Sequence, residues 1–335
     1  MSTEPSAEQP ATARSPLAWS WINAAHGVAL GAPAVATSLV DPAIGLPLAV
    51  GVIPAAALGV RGPRRQRIIV VVVGAVAGLN IVIGSLVAPF PIAAVATIFA
   101  LCVLAAVLVA DARRRLAPLI LMLGMPMLGV GLSESPVVAL SAGGLILAGS
   151  IYGWLVSLFW PDRPGAQRPS RVAPPRRAML TYGIQIGIAG AAGAALGFGL
   201  GVDHPGWACA AALLVSRPDR ALLDTRSVGR VLSVFLGATA ACVVAALHPP
   251  NAVLAAIVLV VVAGAAGTAG SRWYVLPFFT TLLVLSMLMG DENESATHWF
   301  LERVALTFAG VALAVMAAWL VPRVVGRRGG DAGGR

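Results

Sequence analysis

Long apolar blocks, broken by short clusters of Arg, Pro and Gly, make up most of this chain, and neither a helical stripe nor a strand alternation runs through them. Blocks of this kind read as helices that are apolar all round, and with so few charges between them as membrane spans. Cutting at the charge clusters and the Pro/Gly breaks predicts spans near residues 18–39, 43–60, 68–88, 92–110, 116–132, 136–160, 179–200, 205–217, 228–247, 252–270, 273–290 and 299–321. The expected fold is all-α and polytopic, with about twelve transmembrane helices and the lipid bilayer as its first partner.

Segment 161–178, PDRPGAQRPSRVAPPRRA, divides the chain into halves of similar length and is too polar and Pro-rich to be a domain. The halves echo one another. Arg67 and Gly74 are matched by Arg230 and Gly237, LAPLILMLGMPMLGVG (116–131) by VLPFFTTLLVLSMLMG (275–290), and SLFWP (157–161) by AWLVP (318–322). A tandem duplication is expected: a disordered cytoplasmic arm at 1–16, a degenerate membrane repeat at 17–161, a cytoplasmic linker at 162–178, a second repeat at 179–322 and a disordered cytoplasmic tail at 323–335. Six spans per copy give both copies one orientation, so two parallel six-helix repeats are predicted, an architecture that transporters use. The second and fifth blocks of each copy are short or interrupted by Pro47, Pro54, Pro118, Pro126 and Pro277. Broken helices at matching positions expose dipole ends and free carbonyls, which is where transport sites are built.

The net charge of +9 and pI near 11.0 would point to nucleic acid in a soluble protein, but here the placement of the charges decides. Every basic residue is Arg, and with the N-terminus inside, the clusters at Arg61–Arg67, Arg113–Arg115, Arg163–Arg177, Arg217–Arg230 and Arg323–Arg335 all face the cytoplasm. Only Arg303 falls outside, so the chain follows the positive-inside rule, as expected for the plasma (inner) membrane with both termini cytoplasmic and no nucleic-acid partner. The first sixteen residues lack the basic start of a cleaved signal. Cys102, Cys209 and Cys242 lie in apolar runs without paired spacing and carry no disulfide or metal argument. No paired carboxylates, nucleophile elbow, metal motif or phosphate loop is present, so neither an enzyme nor a cofactor is expected.

Candidate chemistry gathers in residues 207–237, WACAAALLVSRPDRALLDTRSVGRVLSVFLG. Arg226 and Arg230 are four apart and share a helix face, and Asp219 and Asp224 are near enough to pair with them. Such a loop can form a mouth that draws in a carboxylate or closes by ion pairing; the alternative is topological charge with structural ion pairs. Glu302 and Arg303 open the last span, and a charge pair entering a membrane helix faces the protein interior, a water-filled path or the headgroups. Thr280 and Thr281 follow Pro277 and can bond a substrate at mid-depth or satisfy their own helix. His26 lies deep in the first span and can accept a coupling proton, as can Asp203 and His204 outside, or it can bond a neighbouring helix. Among Asp203, His204, His248, Asp291, Glu292, Glu294 and His298 no two show ligand spacing, so no metal site is expected. Trp19, Trp160, Trp207, Trp273 and Trp299 fall near the expected interfaces, as an aromatic belt would.

The run from Trp207 through Pro218, Thr225, Arg226, Arg230 and Gly237, followed by a last span carrying Arg303, Thr307 and Gly310 and ending at Pro322, resembles the fusaric acid resistance family of the aromatic acid exporter superfamily. That family's motif reads as Trp, a short apolar run, Pro, Thr, two spaced Arg and Gly. The resemblance covers residues 178–322, with only an echo over 17–161. It implies efflux of aromatic or other small organic acids, and its plant relatives are organic-anion channels. Two departures stand out: many bacterial members carry a large soluble domain where this chain has only the linker, and Ser141 and Ala142 stand where the first copy would place Glu302 and Arg303. A substrate path or gate is therefore expected mainly in the second half, at Trp207, Arg217, Asp219, Arg226, Arg230, Thr280, Thr281, Glu302 and Arg303, with an organic anion as substrate and protons as coupling ion. A passive anion channel, a twelve-span facilitator-type permease and a non-transport scaffold are the alternatives, and a homo-oligomer stays open.

Overall fold

A computed structural model describes residues 17–58, 63–110, 124–160, 175–217, 219–271, 274–288 and 295–331. All regular structure among them is helical. The order is α1 (Trp21–Ser38), α2 (Pro42–Leu58), a 3-10 turn (Arg64–Ile68), α3 (Ile69–Val87), α4 (Pro91–Ala110), α5 (Pro126–Gly131) and α6 (Pro136–Leu158). After the linker come α7 (Arg176–Leu200), α8 (Gly206–Val215), α9 (Arg220–Ala246), α10 (Asn251–Gly267), α11 (Val275–Leu288) and α12 (Ala296–Asp331).

Local chemistry sets many of these ends. Ser20 and Ser135 accept from the backbone N–H groups of Asn23 and Val138 and so start α1 and α6, while Pro at the first position opens α2, α4, α5 and α6. Gly201 closes α7 in the left-handed region at φ 62°, a conformation in which any other residue would be strained.

Six helices among the described residues are long and apolar enough to cross a membrane: Arg64–Val87, Pro91–Leu108, Pro136–Leu158, Arg176–Leu200, Ala221–Ala246 and Ala296–Val324. The protein is thus polytopic, and the expectation of twelve spans in two six-helix repeats is overturned. An apolar block is not a span when its helix stops early. The blocks at 43–60, 205–217, 252–270 and 273–290 fold as helices of 17, 10, 17 and 14 residues. At 1.5 Å per residue these reach about 26, 15, 26 and 21 Å, against roughly 30 Å of hydrocarbon. Asn23 and His26 dilute α1, which is also not among the six. Of the block expected at 116–132, residues 116–123 lie outside the described residues, and the helix in the remainder is the six-residue α5. The arm at 1–16 and most of the linker lie outside too, and α12 continues through Asp331.

Packing follows small residues. With no water to expel between helices in lipid, close contact comes from Gly, Ala and Ser faces and from hydrogen bonds between helices. α1 lies along α10, α4 along α7, α6 against both α2 and α3, α9 against α11 and α12, and α8 between α7 and α12. Ser150 donates to the Gly51 carbonyl at 2.8 Å, Tyr152 to that of Ala29 at 2.8 Å, and Asn80 to that of Gly124 at 2.9 Å. The two shortest α-helices among the described residues, α5 and α8, cross at Gly129 and Gly206. A Cβ on Gly206 would stand 1.7 Å from the Gly129 carbonyl oxygen, so the backbones touch there directly. That crossing fixes the start of α8, and with it Trp207.

Candidate functional site

The densest polar cluster joins the turn between α7 and α8 to the first turns of α12. Asp203 and His204 follow the Gly201 cap, and Trp207 opens α8. From α12 come His298, Trp299, Glu302 and Arg303. His298 and Glu302 share a face one turn apart. The backbone N–H of His204 donates to Glu302 Oε1 at 2.7 Å, and His204 Nδ1 lies 3.5 Å from Glu302 Oε2. His298 Nε2 lies 2.7 Å from Asp203 Oδ2 and 3.7 Å from Glu302 Oε2. Glu302 is buried, whereas the side chains of Asp203 and His298 are about half exposed.

Aromatic rings floor this cluster. The His204 ring stacks on Trp207 with centroids 4.0 Å apart and meets Trp299 edge-on at 4.8 Å. On the same Trp207 ring sits the Arg303 guanidinium, 4.7 Å from the centroid, a cation–π contact worth more where water is scarce. Glu134, in the turn between α5 and α6, reaches the same neighbourhood. Burial pushes its carboxyl above the ordinary value, and the nearby His204 partly offsets this.

Arg230 enters from α9. Its side chain is buried, its Nε makes no hydrogen bond, and Arg303 is close enough to act on it electrostatically. The Nε of Arg303 is likewise unbonded. Neither guanidinium has a carboxylate within ion-pair distance among the described residues, because Glu302 is turned toward the two histidines. The seam beside them between α9 and α12, lined by Val231, Val234, Phe235, Val304, Thr307 and Phe308, has no room for a water molecule. Burying Arg230 beside a second, half-buried cation is unusual.

The other expected residues part company. Arg217 is buried at the far end of α8, where it donates to the Ser216 carbonyl and bonds the Tyr182 phenol, whose hydroxyl also donates to Ser216 at 3.1 Å. Burial pulls the Arg217 guanidinium below its ordinary value and Tyr182 partly restores it. A cation on the last carbonyls of α8 meets the negative end of the helix dipole. Asp219 is the N-cap of α9, accepting from the Ala221 N–H at 3.0 Å. Arg226 is half-buried on the same helix as Arg230. Thr280 bonds back to Leu276 and Pro277 in its own helix, and Thr281 is buried where α11 crosses Gly237. His26 is buried in α1 under the Trp160 ring, centroids 4.6 Å apart, with neither ring nitrogen hydrogen-bonded. Arg67 lies nearby and holds the carbonyl end of α6 through Ser157 and Trp160.

Trp207, Glu302, Arg303, Asp203 and His204 therefore come together, with Arg230 beneath them. His26, Arg217, Asp219, Thr280 and Thr281 do not join them. Sequence reasoning set His298 among scattered loop residues although its spacing of four from Glu302 on a helix was readable, and it missed Glu134, for which no local signal exists. Pro218, Trp273, Asp291, Glu292 and Glu294 lie outside the described residues.

No curated protein and no solved structure matches the chain. Residues 188–317, under half of it but spanning α8 to α11, about half of α7 and more than half of α12, match the family model described as fusaric acid resistance protein-like.

Proposed function

We propose that this protein is a transporter that moves small organic acids, aromatic ones above all, out of the cell across the plasma membrane in exchange for protons, with both termini in the cytoplasm. The observation that carries the reading is the buried Arg230 and its neighbour, the half-buried Arg303, with no carboxylate at ion-pair distance from either guanidinium among the described residues, beside the Trp207 ring. A carboxylate between them would supply the missing counter-charge through charge-assisted hydrogen bonds. The partial match of residues 188–317 supports the same substrate class. Because the α9–α12 seam is closed to water, entry requires those helices to part, which makes this a closed state of the cycle. Among the three groups expected to carry the coupling proton, His26 is the one within the helix bundle, and neither of its ring nitrogens is hydrogen-bonded.

The test is flux in proteoliposomes with a panel of labelled benzoates, cinnamates and short aliphatic acids. A pH gradient should drive accumulation of at least one aromatic acid, and Arg230→Met and Arg303→Met should each abolish it. Flux that follows only the acid's own electrochemical gradient would make the protein a channel. Unchanged flux in both variants removes the site.

A further inference from the structure

The His and carboxylate cluster above Trp207 is larger than an anion site needs. It sets two imidazoles and two carboxylates in one place, a donor set that an organic acid would be repelled by in part and that a metal cation would not. We infer that Asp203, His298 and Glu302, completed by His204, form a divalent-cation site of zinc type that clamps the α7–α8 turn to the start of α12.

The geometry supports this in three ways. First, one oxygen or nitrogen from each of Asp203, His298 and Glu302 lies within 4.8 Å of the others. In a tetrahedral site with metal bonds of roughly 2.0–2.1 Å, donor atoms stand about 3.3 Å apart. The separations of 2.7 Å from Asp203 Oδ2 to His298 Nε2, 3.7 Å from that nitrogen to Glu302 Oε2, and 3.5 Å from Glu302 Oε2 to His204 Nδ1 straddle that value. Second, the buried carboxylate is already oriented: the His204 N–H holds Oε1 at 2.7 Å, leaving Oε2 aimed at the two rings, the kind of outer contact that aligns a metal ligand. Third, the supports are stiff, since His298 and Glu302 share a helix face and Asp203 and His204 follow directly on the fixed Gly201 cap.

Charge and chemistry select the ion. Two carboxylates balance one dication, and a mixed imidazole and carboxylate set suits Zn²⁺ better than Mg²⁺ or Ca²⁺, which take oxygen alone. Arg303, over the Trp207 ring, and Glu134, beside His204, contribute opposite signs to the surroundings. Zinc would tie together two segments that are 95 residues apart, directly over Arg303 and Trp207. Resting on the transport reading, this makes zinc an inhibitor that holds that end shut.

The experiment is calorimetric titration of ZnCl₂ into the metal-stripped, detergent-solubilised full chain, which needs no transport. One equivalent should bind and raise the melting temperature. His298→Ala, at an exposed position, and Asp203→Asn should each weaken binding by more than the ~10–100-fold that loss of an outer-sphere partner costs. His248→Asn, on the turn after α9, should leave affinity unchanged. Absence of a bound equivalent in the wild type, or equal affinity in His298→Ala, overturns the site. Zinc bound as expected but without effect on flux would retain the site and remove its role as a clamp on transport.

Discussion

Replacing Arg230 by Met separates a binding residue from a structural one, because the two roles predict opposite signs. The side chain is 4% exposed, its Nε has no partner, and Arg303 repels it. After relaxation a buried ion still costs several kcal/mol, and apolar replacement of buried charged groups has been neutral or stabilising by about 1–4 kcal/mol. Met keeps most of the length and fills the same space, so the net expectation is a gain of about 1–3 kcal/mol. For a chain of this size that is a rise in melting temperature of roughly 2–6 °C. The assay is thermal unfolding in detergent or nanodiscs beside aromatic-acid flux in proteoliposomes, with Arg226→Met, whose arginine is engaged by the rest of the fold, as comparison. A higher melting temperature with lost flux is the expected result for Arg230→Met. A lower melting temperature with flux intact would refute the argument, since the guanidinium would then be holding the fold together.

Gly206→Ala should destabilise strongly, because the new methyl would meet the Gly129 oxygen at 1.7 Å where 3.4 Å is ordinary contact and α5 has no side chain there to move. Overpacking of this kind costs about 1–3 kcal/mol, whereas Gly199→Ala, with nothing within 4 Å, should stabilise slightly; comparison of their melting temperatures checks both. Asp219→Ala should lose the α9 cap, about 1 kcal/mol, with flux preserved, which a gate residue would not allow. His26→Asn should leave binding of the acid intact while abolishing its accumulation against a gradient, read as loss of pH-driven uptake with retained counterflow. Tyr182→Phe should lower stability by about 1 kcal/mol through the lost bond to Ser216.

The sequence makes the solvent legible before the architecture. Apolar blocks and the Arg distribution point to a helical membrane protein, and Pro and Gly mark where helices end. Hydropathy does not show how far each helix runs between those marks, since a buried ten-residue helix such as α8 and a full span look alike in it. The site divides the same way. Trp207 and Arg303 stand out by motif and meet in space. The charged loop at 217–230 also stands out, yet its first residues anchor helix ends, because Asp before a helix caps it and Arg after one meets its carbonyls. The pairing of Asp203 with His298 depends on a fold that brings 95 residues together, and no local pattern encodes that.

The contact between the first helix and α10 sets a timetable for biogenesis. Ala18 and Ser271 exchange hydrogen bonds across 253 residues, and α1 lies along α10. At about 5–20 residues per second, α1 waits some 13–50 s after synthesis before its partner emerges. During that interval its Gly and Ala face has only lipid or an insertion chaperone to lean on. A ribosome pause or truncation before α10 therefore leaves α1 packed on α2 and α6 alone, with the face meant for α10 uncovered.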